Sequence, residues 1–137
     1  MTMALDFPIR RPTVPPSVQR LLTEAEQGLA AAEQETEPAH RFATAYLSAL
    51  RAAAAMLAMR GRPHRGRARP TSVWTLLASV APEFREWAAF FAASSATRAS
   101  VQAGITRVVS QRTADDLVRQ VGQFVDLVRR AIRGASR

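Results

Sequence analysis

The reactions open to this chain are limited by how few reactive side chains it carries. It has two histidines, His40 and His64, and no cysteine. Disulfides, thiolate metal sites and a cysteine nucleophile are therefore excluded. Two histidines form a histidine-rich zinc site only if distant carboxylates help. His40 falls in the first turn of an expected helix, beside Arg41, where capping or solvation accounts for it. His64 falls in an arginine-rich loop. The carboxylates are no better placed. Asp115 and Asp116 are adjacent on an expected helix and cannot face each other; they suit the positive end of a helix dipole instead. Glu83 and Glu86 lie three apart but flank Arg85, as on a solvated face. Gly61 and Gly66 lack the lysine that follows a phosphate-binding glycine loop. No serine-centred nucleophile elbow is present. No catalytic residue, metal site or cofactor is assigned, and the chain reads as one that acts by binding.

Charge indicates what it would bind. All 19 strongly basic residues are arginine, and the formal net charge is +8. Such an excess attracts phosphate backbones and acidic partners. Five arginines, Arg60, Arg62, Arg65, Arg67 and Arg69, crowd into ten positions with Gly61, Pro63 and Gly66. A segment of this composition cannot pack into a core and is expected to form an exposed basic loop over residues 60–70. Its guanidinium groups could clamp phosphates; the alternative is a solvated linker without a ligand. Trp74, Phe84, Trp87, Phe90 and Phe91 form an aromatic group. Exposed aromatics beside basic residues stack single-stranded bases, whereas aromatics at helical spacing fill a core. Adjacent Phe90 and Phe91 cannot both face one core. Trp87, Phe90 and Phe91 are therefore candidate interface residues, with Phe90 turned outward.

These side chains must be held by helices. Glycine is sparse and alanine, the best helix former, dominates. Ser17 is expected to cap a first helix with Val18, Leu21, Leu22, Ala25 and Leu29 on its apolar face and glutamates outside. Gly28 inside it points to a close helix crossing. Thr36-Glu37-Pro38, with Thr36 as the cap, opens a second helix, rich in alanine, that Gly61 and Pro63 end. Thr71 or Ser72 starts a short third. After Pro82, Phe84 to Phe91 continue at helical spacing. Ser94-Ser95 marks a break, and a further stretch carries Arg98, Val101, Ile105 and Val108. Thr113 with Asp116 resembles a capping box for the last helix, whose stripe runs Leu117, Val121, Phe124, Val125, Val128 and Ile132. The expected fold is all-α, an antiparallel helical bundle of four main helices plus one or two short ones.

With 137 residues the chain has the size of one domain with a real core. Residues 1–16, with four prolines, read as a flexible arm, residues 17–133 as the bundle, and residues 134–137 as a tail. Arg10 and Arg11 precede no apolar stretch of the secretory kind. The longest uncharged apolar run, Ala52 to Met59, falls short of the ~20 residues that span a bilayer. A soluble, cytoplasmic protein with no membrane contact is expected.

The alanine-rich helix from Phe42 to Met59 and the long helix from Thr113 to Ile132 resemble the second and closing helices of HEPN domains. The stretch from Glu86-Trp87 through Phe90-Phe91 and Arg98 to Gly104, followed by Ser110 to Arg119, is similar to a small stand-alone HEPN subfamily of GC-rich bacteria. The resemblance covers about residues 17 to 133. It implies a helical bundle that pairs as a homodimer. It also implies one of several roles, since some members are RNases and others are non-catalytic, partnering nucleotidyltransferases or binding nucleic acid. The RNase members carry an arginine, four to six residues, then a histidine. Arg98 is most similar to that arginine, but Ala103, Gly104 and Ile105 stand where the histidine belongs, so the RNase activity does not carry over.

The expected function is a non-catalytic binding module that meets RNA, DNA or nucleotide phosphates through the loop arginines with Arg98 and Arg107. The alternative is a protein-interaction subunit docking a nucleic-acid enzyme or a nucleotidyltransferase. A third, weaker, is a divergent RNase using His64.

Overall fold

The chain is described by a computed structural model over residues 13–61 and 72–135. The arm through residue 12, loop residues Arg62, His64, Arg65, Arg67 and Arg69, Thr71 and the last two residues lie outside the described residues.

Helix α1 (Pro16–Gln34) starts on proline, with no side-chain cap, so Ser17 lies inside the first turn. Proline suits that place because its missing N–H would have no partner there. Glu37, not Thr36, caps α2 (Pro38–Arg60), accepting from the His40 N–H at 2.9 Å. Gly61 ends α2 at φ +84°. Ser72 caps the short α3 (Val73–Val80) by accepting from the Trp74 N–H at 3.0 Å. A single 3₁₀ turn, Pro82–Phe84, leads into α4 (Arg85–Gln102).

The remaining boundaries correct the sequence reading. Helix α4 runs through Ser94-Ser95 without a break. Their hydroxyls donate to the carbonyls of Phe90 at 3.1 Å and Ala92 at 2.7 Å, bonds that a helix tolerates. The stretch expected to reach Val108 stops at Gln102. Gly104 takes φ +91°, its N–H bonds the Val101 carbonyl, and the Ile105 N–H bonds the Ser100 carbonyl, both at 2.9 Å. This Schellman closure needs glycine at the left-handed position. Ile105 and Val108 consequently stand on a turn over residues 103–110, 46% and 48% exposed, rather than on a buried face. Helix α5 (Gln111–Ala135) is capped by Ser110, whose hydroxyl accepts from the Thr113 N–H at 3.0 Å. Asp116 pairs with Arg119 at 2.5 Å instead of reaching back to the helix start.

Side-chain pairs give the directions. Arg51 meets Glu24 and Arg41 meets the end of α1, so α1 and α2 are antiparallel. Arg129 pairs with Glu26, and Gly122 faces Leu29, so α5 is antiparallel to α1. Trp87 packs on Phe124, while Thr97 and Thr113 share one groove, so α4 is antiparallel to α5. The fold is an up-down-up-down, all-α bundle whose diagonal pair, α2 and α5, packs together at the centre. Small residues also let α1 approach α2 closely. A methyl group at Gly28 would come within 3.3 Å of Ser48 Cβ, and the Ser48 hydroxyl donates to the Ala25 carbonyl at 2.5 Å. Helix α2 buries Ala39, Ala45, Ala49, Ala52, Ala53 and Ala55. By length and composition α2 could cross a membrane; 56% of that window is buried inside the bundle, as a core helix requires.

Candidate functional site

The aromatic group divides between core and surface. Phe91 is fully buried, stacked on Trp74 at 4.9 Å and tilted against Phe124 at 5.1 Å. It offers no surface to a partner. Trp87 is half-buried, stacked on Phe91 at 6.2 Å. Phe90 is turned outward and remains 39% exposed. Trp74 and Phe84 are buried. The buried Tyr46 hydroxyl accepts from Trp74 Nε1 at 2.8 Å and donates to the Phe91 carbonyl at 3.3 Å, which ties α2, α3 and α4 together.

Phe90 stands in an open seam between α4 and α5. Helices α4 and α5 both lean on α2, but their backbones hardly approach each other, and large side chains fill only part of the gap. Above Phe90 lies a depression of about 320 Å³ lined by Phe42, Ala93, Leu117 and the hydroxyl residues Ser94, Thr97 and Thr113, with Asp116 at its edge. Below it lies a second, of about 270 Å³, bounded by Glu86, Trp87 and Gln120. Among the described residues no group of histidines and carboxylates could hold a metal ion.

The arginines sort by whether a carboxylate neutralises them. Arg60 is engaged, its two terminal nitrogens holding Glu83 at 3.0 and 2.5 Å. That hydrogen bond is the largest reason the Glu83 carboxyl sits below the ordinary carboxylate range and the Arg60 guanidinium above its own, partial desolvation opposing both. A carboxyl lowered in the folded state stabilises the fold above its ordinary pKa, and this is lost as pH falls through the lowered value. The pair therefore persists at neutral pH. Arg41, Arg51, Arg119, Arg129 and Arg130 also hold carboxylates.

Arg98 and Arg107 are different. Arg98 lies over the Tyr46 ring, 5.4 Å from its centroid, a cation–π contact that positions the guanidinium without cancelling its charge. Arg107 stands exposed on the 103–110 turn. Among the described residues neither pairs with a carboxylate. Arg20, Arg85 and Arg112 are likewise exposed and without a carboxylate among them; Arg112, which the sequence reading missed, stands in the first turn of α5. It had a signal: a cation at a helix start opposes the dipole and weakens the helix unless something else needs it there. Arg98, Arg107 and Arg112 thus gather at the end of the bundle where α4 closes and α5 opens. Arg60 belongs to the opposite end, so the structure does not join it to them.

A family model described as HEPN_SAV_6107-like HEPN matches residues 32–129. The match runs from the last turn of α1 to the last third of α5 and includes both the open seam and the α4–α5 turn. Neither the curated proteins nor the solved structures supply a match.

Proposed function

The chain belongs to the HEPN_SAV_6107-like HEPN family, and on that premise we propose that it is a non-catalytic module binding nucleic-acid or nucleotide phosphates at the α4–α5 end of the bundle. The observation that carries this reading is that three of the arginines no described carboxylate neutralises, Arg98, Arg107 and Arg112, lie toward one end of the bundle, where α4 closes and α5 opens. The aspartates nearby do not offset them, because Asp115 is held by Arg41 and Asp116 by Arg119. Guanidinium groups left free in this way exchange condensed counterions for phosphate contacts. Such contacts hold a strand without reading its sequence. Arg62, Arg65, Arg67 and Arg69 add to the net positive charge that attracts phosphate.

The test is fluorescence anisotropy with labelled single-stranded RNA and duplex DNA over a salt series. Changing Arg98, Arg107 and Arg112 together to alanine is expected to weaken binding. It should also flatten the slope of log affinity against log salt by about two, at about 0.7 per phosphate on a single strand. Wild-type binding absent at low salt, or retained unchanged in the variant, overturns the reading. The substrate is checked for cleavage in each sample; cleavage lost on His64→Ala would move the assignment to an RNase. Glu83→Gln gives an independent check on the opposite end. It releases Arg60, and the salt slope is expected to steepen by about 0.7 if that end also meets phosphate.

Self-association of the module is favoured by the outer surface of α4. From Trp87 to Thr97 the helix carries no charge, although Ala89, Phe90, Ala92, Ala93, Ser95 and Ala96 are exposed. Uncharged surface of this kind marks a protein interface, and the expected occupant is a second copy of this chain in a symmetric homodimer. Sedimentation across a concentration series distinguishes monomer from dimer.

A further inference from the structure

The seam between α4 and α5 carries charge opposite in sign to the chain's net +8. Its two depressions, which meet at Phe90, are lined by one carboxylate each, Asp116 above and Glu86 below. Among the described residues neither lining includes a cation. Between the carboxylates the surface is aromatic: Phe90 borders both depressions, Phe42 adds a ring above and Trp87 one below. Thr97 and Thr113 above and Gln120 below supply neutral oxygen acceptors. Asp116 holds Arg119 at 2.5 Å in an exposed pair, which leaves its carboxylate with further lone pairs. Glu86 is exposed in the first turn of α4, and no cation pairs with it among the described residues. The positive end of a helix dipole favours a carboxylate there, but it does not account for the indole and phenyl rings beside it.

We propose that the seam binds an aliphatic polyamine, extended so that one protonated amine lies toward Asp116, another toward Glu86, and the methylenes between them cross Phe90. An ammonium group set between a carboxylate and an aromatic face is attracted by the charge of the first and the quadrupole of the second. The methylenes cover Phe90 and Ala93, both exposed. Spacing selects the length of the ligand. Helices α4 and α5 are antiparallel, so Glu86 belongs to the lower depression while Ser94 and Asp116 share the upper. From Glu86 to Ser94 the helix rises about 12 Å. Extended spermidine is of comparable length, whereas putrescine is too short to reach both carboxylates. A divalent metal ion fits poorly, because it needs several oxygens close together and the two carboxylates stand apart with rings between them. Polyamine binding uses the carboxylates and rings of the seam, not the arginines at the bundle end, so it stands or falls separately from phosphate binding.

The test is isothermal titration calorimetry on the full chain freed of nucleic acid, at a protein concentration where sedimentation shows a single species. Spermidine, putrescine and magnesium chloride are compared at one low, matched ionic strength. Spermidine is expected to bind once per chain and more tightly than either of the others. Asp116→Asn and Glu86→Gln are each expected to weaken it about two- to fivefold, the range for ion pairs in contact with water. Phe90→Leu, which stays apolar but loses the ring, is expected to weaken it by a similar factor, about two- to fivefold. Glu33→Gln, which removes an exposed carboxylate of α1 outside the seam, should change nothing. Circular dichroism checks that each variant keeps the wild-type helix content. Magnesium binding as tightly as spermidine, or equal weakening by Glu33→Gln, means that surface carboxylates in general attract the ligand and overturns the site. Putrescine binding as tightly as spermidine overturns the two-ended arrangement, and no saturable binding at millimolar spermidine overturns the proposal outright. None of these results bears on the anisotropy experiment with nucleic acid.

Discussion

Replacing Phe91 with alanine is expected to destabilise the fold by about 3–5 kcal/mol, the range for emptying a buried phenylalanine site. The ring is fully buried where α2, α3, α4 and α5 meet, against Tyr46, Trp74, Trp87 and Phe124. None of these rings can shift far to fill the space, since Trp74 and Tyr46 are also held by their own hydrogen bond. A domain stable by about 5–15 kcal/mol would lose a large part of its margin. Urea unfolding followed by circular dichroism measures it. The adjacent Phe90→Ala is expected to cost only about 1 kcal/mol, because that ring keeps much of its surface in solvent. The pair of variants tests the division between adjacent phenylalanines, Phe90 turned outward and Phe91 in the core. If Phe91→Ala unfolds at the wild-type urea midpoint, the ring is not at the junction of the core.

Arg41→Ala is expected to cost about 2–3 kcal/mol, most of it from unsatisfied polar groups. One terminal nitrogen of Arg41 donates to the carbonyls of Ala32 and Glu33 at 3.0 Å and of Glu35 at 3.3 Å. These carbonyls lie in and just past the last turn of α1, where acceptors outnumber backbone donors; that of Ala32 also accepts from the Glu35 N–H at 3.2 Å. On its other side the Arg41 Nε lies 2.9 Å from Asp115 Oδ1, a charge contact whose angle is too poor for a hydrogen bond. One side chain thus joins the end of α1, the start of α2 and the start of α5. Arg41→Lys keeps the charge but loses the planar fork, and is expected to recover only part of the loss. The same unfolding experiment reads both. Hydrogen exchange should show the first turn of α5 opening more readily in Arg41→Ala, and a variant that leaves both stability and exchange unchanged contradicts the role.

Much of the architecture was legible because it depends on periodicity and punctuation. The stripe from Leu117 to Ile132 is buried as its spacing requires. Pro38, Gly61 and Pro82 stand at element boundaries because proline and glycine act through local backbone geometry. Gly28 was readable as a close crossing for the same reason: only something near the backbone justifies glycine inside a helix. The caps were less legible. Serine, threonine and glutamate compete for the same orphan donors, and a shift of one to three residues leaves the pattern unchanged. Ser110 and Glu37 therefore took places that Thr113 and Thr36 could equally have filled.

The candidate site followed the opposite rule. The amino-acid sequence by itself determined an all-α bundle, a large positive charge carried entirely by arginine, and a chain with two histidines and no cysteine. Those properties are sums over residues or repeat at short range. Only the tertiary structure decided which arginines are free, because neutralisation depends on carboxylates distant in the chain. Arg60 meets Glu83, and Arg41 meets Asp115, whereas Arg98 meets an aromatic ring and Arg112 no described carboxylate. The seam beside Phe90 was likewise decided only by the packing of the central pair, α2 and α5, which holds α4 away from α5 along most of its length.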